Sequence, residues 1–66
     1  MDYKYIPKKI GKGYLTSIDP LKYAKSGEKI ITFNKLSILK KKVPWTAYDV
    51  VHVIDGYGDV VDVIEK

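Results

Sequence analysis

The chain has no cysteine and no arginine, and only one histidine, among its 66 residues. Without cysteine it cannot form a disulfide, and one histidine cannot supply the usual ligand sets of a zinc site. No apolar run approaches the roughly 20 residues of a membrane-spanning helix, and the first ten residues lack the apolar stretch of a signal peptide. We therefore expect an intracellular protein without membrane contact, metal or cofactor.

The length points to one domain, residues 1–66, at the size where a single hydrophobic core is only just sufficient. Either that core or a partner subunit must supply the stability. The lysine-rich, cysteine-free composition is also compatible with a thermophilic source.

Charge is divided unevenly along the sequence. Residues 1–42 carry eleven lysines against three acidic residues, whereas residues 43–66 carry one lysine against five. If the two parts occupy different surfaces, the molecule is electrically two-sided, and its basic side can bind the phosphates of a polyanion.

Most of the chain has the composition of β-strands. Residues 2–6 and 13–18 are rich in tyrosine and isoleucine and are joined by a turn containing two glycines, and residues 29–33 form another short apolar run. We predict strands over all three. Pro7 predicts that the first of them lies at a sheet edge, because proline cannot donate to a strand ladder.

One short helix is expected at about residues 19–26. Asp19 can cap it, Pro20 suits its first position and Gly27 can end it. Residues 34–42 fit either a strand or a helix capped by Asn34, with Leu36, Leu39 and Val43 on its buried side.

The C-terminal part repeats itself, since VVHVID at 50–55 recurs as VVDVIE at 60–65. This predicts a hairpin whose turn centres on Tyr57, with Val51 opposite Val63 and His52 opposite Asp62. Together these patterns indicate a mostly β (α+β) fold, a small barrel-like or curved antiparallel sheet with one helix.

A second interpretation makes residues 46–57 a helix, because Thr46 and Asp49 form a capping box and apolar residues recur at helical spacing. On that interpretation about half the chain resembles a winged helix-turn-helix domain, which implies a transcriptional regulator. The β-branched residues of 50–54 oppose it, since they and Gly56 cost a helix about 2 to 3 kcal/mol. We favour the β interpretation.

No catalytic arrangement is expected. A facing pair of His52 and Asp62 is more typical of a cross-strand polar contact than of an active site. The GKG at 11–13 lacks the spacing of a phosphate-binding P-loop, and the acids of 55–62 lack the spacing of a calcium loop. The chain is therefore expected not to be an enzyme.

Lysines interleaved with aromatic residues are typical of nucleic-acid binding, because lysine neutralises phosphates and an exposed ring can stack on a base. The candidate binding residues are Lys8, Lys9, Lys12, Tyr14, Lys40, Lys41, Lys42 and Trp45. Trp45, as the only tryptophan of a small core, is more often buried than exposed in such a position.

We expect a small, basic, non-enzymatic protein that binds DNA or RNA, of chromatin, ribosome-associated or viral type. In general character it resembles the small lysine-rich archaeal chromatin proteins with SH3-like barrels. The alternative from a different class is a protein-interaction or inhibitor module, including a homodimer, that uses the apolar faces of residues 50–64.

Overall fold

Five antiparallel strands form one sheet in the order β3-β2-β1-β4-β5. The computed structural model describes residues 2–25 and 28–66. Its elements, in chain order, are β1 Lys4–Lys9, β2 Gly13–Ile18, β3 Leu21–Tyr23, α1 Leu36–Lys42, a single 3₁₀ turn Trp45–Ala47, β4 Val50–Ile54 and β5 Val60–Glu65.

The predicted fold class is confirmed: the protein is mostly β, with one short α-helix in its described part. The sheet is open, with β3 and β5 as its edges, so it does not close into a barrel. In the part of the chain that the structure describes, no helix is long and apolar enough to cross a membrane.

Pro7 does not mark an edge, since β1 is the central strand. β1 pairs with β2 only through Lys8 and Lys9, and Tyr5 instead exchanges two backbone hydrogen bonds with Phe33. Pro7 occupies the interval between these two pairings. A missing N–H costs nothing at a point where the neighbouring strand has already diverged.

Residues 29–33 do not form the regular strand that the sequence predicts. Phe33 makes an isolated bridge with Tyr5, and the N–H of Ile31 donates to the carbonyl of Leu15 at 2.9 Å. The segment therefore lies along both β1 and β2 where they separate, and the backbone partners of Ile31 and Phe33 belong to different strands.

The helix predicted at residues 19–26 is wrong for the residues described, and Ser26 and Gly27 lie outside them. Ile18 pairs with Leu21, so Asp19 and Pro20 form the turn of a hairpin between β2 and β3 instead of a helix start. Pairing with β2 outweighs a helix signal that was only one or two turns long.

The α-helix of the described residues is α1, which settles the ambiguity of residues 34–42. Leu39 and Val43 are buried and Leu36 packs against the core, as the helical alternative requires. The N-cap is Lys35 without a side-chain cap, whereas the Asn34 carboxamide accepts from Lys4 Nζ at 2.5 Å.

The helical interpretation of residues 46–57, and with it the winged helix-turn-helix alternative, is wrong. Val50–Ile54 form β4, and the helical part of the segment is limited to the 3₁₀ turn Trp45–Ala47. Asp49 caps no helix, because its carboxylate accepts the N–H of Ile10 at 2.9 Å. The β-branched residues therefore follow their strand preference.

The C-terminal hairpin is confirmed, but its register differs by one residue from the predicted one. Val51 lies opposite Ile64 and His52 opposite Val63, because an irregularity next to Val53 inserts an extra residue into β5. The predicted pair of His52 with Asp62 is thus not formed. A bulge of this kind shifts every pair beyond it and leaves no mark in the hydrophobic pattern.

The core lies on the face of the sheet that α1 covers. It contains Leu15, Phe33, Leu39, Val43, Ala47, Tyr48 and Val51. Alternation along the strands sends every second side chain to the opposite face, here called the outer face. The outer face carries Lys4, Ile6, Lys8, Tyr14, His52 and Val63.

Candidate nucleic-acid interface

A groove with four lysines lies between edge strand β3, the β1–β2 turn and the 3₁₀ turn. Its volume is about 680 Å³. We call it the basic groove; it is lined by Lys9, Lys12, Thr16, Leu21, Lys22, Tyr23, Lys25, Glu28 and Thr46. With four ammonium groups and one carboxylate, its lining is strongly positive.

Tyr23 fixes the wall of the groove formed by β3. Its hydroxyl donates to the carbonyl of Ala47 at 2.7 Å, which ties β3 to the 3₁₀ turn on the other side. Lys12 Nζ lies 5.5 Å from the centre of the Tyr23 ring, a cation–π distance. The ring thus positions a lysine that the β1–β2 turn would otherwise leave free to move.

Close backbone packing brings β3 up to the turn. Gly13 has a φ of +98°, and a β-carbon there would lie 3.5 Å from the carbonyl oxygen of Ala24. The N–H of Ala24 donates to the carbonyl of Tyr14 at 2.7 Å. The positive φ of Gly13 therefore supplies the turn conformation, while a β-carbon at 3.5 Å would make only an ordinary van der Waals contact.

Lys9 is held on the opposite wall by two acceptors. Its Nζ lies 3.2 Å from the carbonyl oxygen of Thr46 and 3.5 Å from the Asp49 carboxylate. The hydrogen bond from Ile10 N–H, helped by the charge of Lys9, lowers the pKa of Asp49 below its ordinary value. Asp49 stays ionised, so it offsets part of the charge that Lys9 brings to the groove.

Glu28 closes the end of the groove near Lys25. Its carboxylate accepts the backbone N–H of Lys25 at 2.8 Å. This leaves the ammonium groups of Lys12, Lys22 and Lys25 as the exposed cations of the groove.

The predicted lysines of β1 separate onto the two faces of the sheet. Lys9 lines the groove, whereas Lys8 is its neighbour on the strand and points to the outer face. There Lys8 Nζ lies 5.6 Å from the centre of the Tyr14 ring. Lys8 and Tyr14, both predicted site residues, therefore lie outside the basic groove.

Tyr14 is engaged by His52 on the outer face. The hydroxyl lies 2.8 Å from His52 Nδ1, and the two rings meet edge to face. Burial and then the charge of Lys8 lower the pKa of His52 below its ordinary value. A neutral imidazole can accept a hydrogen bond from the tyrosine hydroxyl at Nδ1. The lowered pKa of His52, which favours the neutral ring, is therefore consistent with this hydrogen bond.

Lys40, Lys41 and Lys42 are exposed in the last turn of α1. This is the helix end where positive charge is favourable. They form a second positive surface, because the residues that line the basic groove do not include them.

Trp45 is displayed on the surface, contrary to the expectation that it is buried. Its side chain is 61% exposed, because the neighbouring Ala47 and Tyr48 fill the core position instead. Lys66 Nζ lies 4.7 Å from the centre of the indole and donates to the Trp45 carbonyl. The next residue, Thr46, lines the basic groove, whereas Trp45 is not itself among the lining residues.

Sequence reasoning missed Lys22 and Lys25 because it assigned them to a helix. Leu21, Lys22 and Tyr23 alternate apolar, basic and apolar, which is the pattern of a short edge strand. That alternation was the available signal, but three residues are too few to outweigh an Asp-Pro helix start.

The order of strands separates charge across the sheet. The basic groove lies at the β3 edge, while the four acids after Asp49 lie on the β4–β5 hairpin at the other edge. Among residues 2–25 and 28–66, no three histidine, aspartate or glutamate side chains are grouped as metal ligands would be.

Comparison of the chain with protein-family models, with curated proteins and with solved structures found no significant match. The site must therefore be interpreted from its own chemistry.

Proposed function

We propose that the protein is a small, non-enzymatic nucleic-acid-binding module that holds phosphates of DNA or RNA in the basic groove. The observation that carries the proposal is the convergence of Lys9, Lys12, Lys22 and Lys25 on one concave surface. Ammonium groups that line one recess repel each other, and a polyanion relieves that repulsion while releasing its own counterions.

The form of the contacts implies little sequence preference. Lysine is a flexible point charge, whereas bidentate recognition of a base edge generally uses arginine, asparagine or glutamine. The chain has no arginine at all. Binding through this groove therefore depends on the phosphate backbone and on salt.

The test is a titration of fluorescently labelled oligonucleotide at several salt concentrations. Each lysine that neutralises a phosphate adds about 0.7 to 0.9 to the slope of log affinity against log salt. Replacing Lys22 and Lys25 by alanine should thus lower the slope by about 1.5 and weaken binding at low salt. The matched control, Lys40→Ala with Lys41→Ala, removes the same charge from α1.

Binding that is absent, or that does not change with salt, would refute the proposal. An equal loss of affinity and of salt slope in the two double variants would mean that binding depends on the net charge of the molecule and not on the groove. The contribution predicted from sequence for Lys40 and Lys41 is measured in the same experiment.

A protein-interaction module, such as a homodimer, is the second candidate. Val60, Val61 and Val63 of edge strand β5 are each about half exposed, which is unusual for three apolar residues on one strand. A dimer mass that does not change with concentration, together with no oligonucleotide binding at low salt, would favour this candidate.

A further inference from the structure

We infer that the basic groove receives a single strand of nucleic acid, with one unpaired base stacked on Trp45. This inference rests on the proposed function and adds the class of nucleic acid. It depends on two features of the protein, the lysine-lined recess of the groove and the exposed indole of Trp45, the residue before groove-lining Thr46.

The shape of the site favours a single strand over a duplex. Sequence-reading proteins enter the major groove of a duplex with a protruding helix or two-stranded ribbon. The four lysines here line a recess instead, and α1, seven residues long, has Leu39 buried in the core. A recess lined by cations can follow one flexible phosphate backbone, as in proteins that bind unpaired strands.

The position of Trp45 supplies a surface for a base next to those phosphates. Trp45 lies between Pro44 and Thr46 in the chain, and the carbonyl of Thr46 accepts a hydrogen bond from Lys9 of the groove. Tyr48 meets the indole edge to face at 6.4 Å and Lys66 lies over it, so the ring is held in place while most of it stays exposed. An ordered, exposed ring loses little freedom when a base stacks on it.

Duplex DNA offers no free base to stack on the indole of Trp45, because its bases are already stacked on each other. A strand whose bases are free can use both features at once, its phosphates in the groove and one base on the indole. The two classes of nucleic acid should therefore differ in affinity and in their effect on tryptophan fluorescence.

The experiment uses the fact that Trp45 is the only tryptophan of the chain. The 66-residue protein is titrated with oligo-dT of about 12 nucleotides, within the usual range of site sizes, and with a duplex of the same length. We expect the single strand to quench Trp45 fluorescence at saturation and to bind more tightly than the duplex.

Variants separate stacking from charge. Trp45→Leu should weaken oligo-dT binding about tenfold, measured with a labelled strand, while leaving the salt slope unchanged because no charge is lost. The control is Tyr57→Leu, which removes an aromatic ring that is 91% exposed in the β4–β5 turn. It should leave binding unchanged. Circular dichroism of both variants verifies that they fold, and Trp45→Tyr, which keeps a ring, should retain most of the affinity.

Each outcome is decisive. Equal affinity for duplex and single strand, no quenching at saturation, or an unaltered affinity of Trp45→Leu would overturn the single-strand inference while leaving phosphate binding intact. Absence of binding to either nucleic acid at low salt would overturn the proposed function itself.

Discussion

The hydroxyl of Tyr14 lies 2.8 Å from Nδ1 of His52 on the outer face of the sheet. The two residues are 38 positions apart, so the contact joins the first hairpin to the last. Burial and the nearby charge of Lys8 both disfavour the protonated imidazole. The burial of His52 and the charge of Lys8, which lower the pKa of His52, therefore make stability depend on pH in a definite direction.

We expect the protein to lose stability as the pH falls below about 6.5, the ordinary pKa of histidine. Because the pKa of His52 is lower in the folded state, the unfolded chain binds more protons in this range. The stabilisation is complete above the unfolded pKa and is lost as the pH falls towards the folded one. Urea unfolding at about pH 7.5 and 5.5, for the wild type and for His52→Gln, measures it.

The variant should show the smaller difference between the two pH values. Carboxylates contribute little in this range, since they titrate mainly below it. The same difference in both proteins would contradict the role given to His52.

Tyr23 and Tyr48 should respond in opposite ways to removal of their hydroxyl groups. Tyr23→Phe leaves the Ala47 carbonyl without its side-chain donor and should cost about 1 kcal/mol. The Tyr48 hydroxyl is buried without a partner in the described structure, so Tyr48→Phe should be neutral or stabilising. Thermal or urea unfolding of the two variants makes the comparison, in which each serves as the control for the other.

Asp62 should protect the β5 edge against pairing with another chain. Its carboxylate accepts the N–H of Val63 at 2.8 Å, so that donor is not offered to a neighbouring strand. Asp62→Ala leaves the Val63 N–H without this acceptor, between exposed valines. We expect the variant to self-associate more as its concentration rises, as measured by light scattering. Asp59→Ala removes the same charge without freeing Val63, and it should stay closer to the wild type. Equal association of the two variants would assign the effect to charge alone.

The β-branched residues of 50–54 and 60–65 predicted their own strands, because the same composition disfavours a helix. The buried side of α1 was also within reach, since Leu36, Leu39 and Val43 have helical spacing. These strands and this helix are long enough for the pattern of their own residues to predict their secondary structure correctly.

The basic groove could not be predicted, because long-range pairing decides it. Whether Asp19 and Pro20 begin a helix or turn a hairpin depends on β2, which is available only in the folded chain. Once β3 forms, Lys22 and Lys25 come beside Lys9 and Lys12. The exposure of Trp45 was not predicted either, because the sequence does not show that nearby Tyr48 is the aromatic residue buried in the core.

The β4–β5 turn should tolerate alanine at Gly56 but not at Gly58. Gly58 has a φ of +86°, a conformation that costs an alanine about 1 kcal/mol or more, although nothing within 4 Å would touch the added β-carbon. Gly56 has equally open surroundings and no positive φ, so Gly56→Ala should be neutral or stabilise slightly by restricting the unfolded chain. Since the surroundings are the same, the difference in unfolding free energy between the two variants isolates backbone conformation. Equal unfolding free energies for the two variants would mean that the turn relaxes into another geometry when Gly58 is replaced. The bulge beside Val53 would then not depend on the positive φ of Gly58.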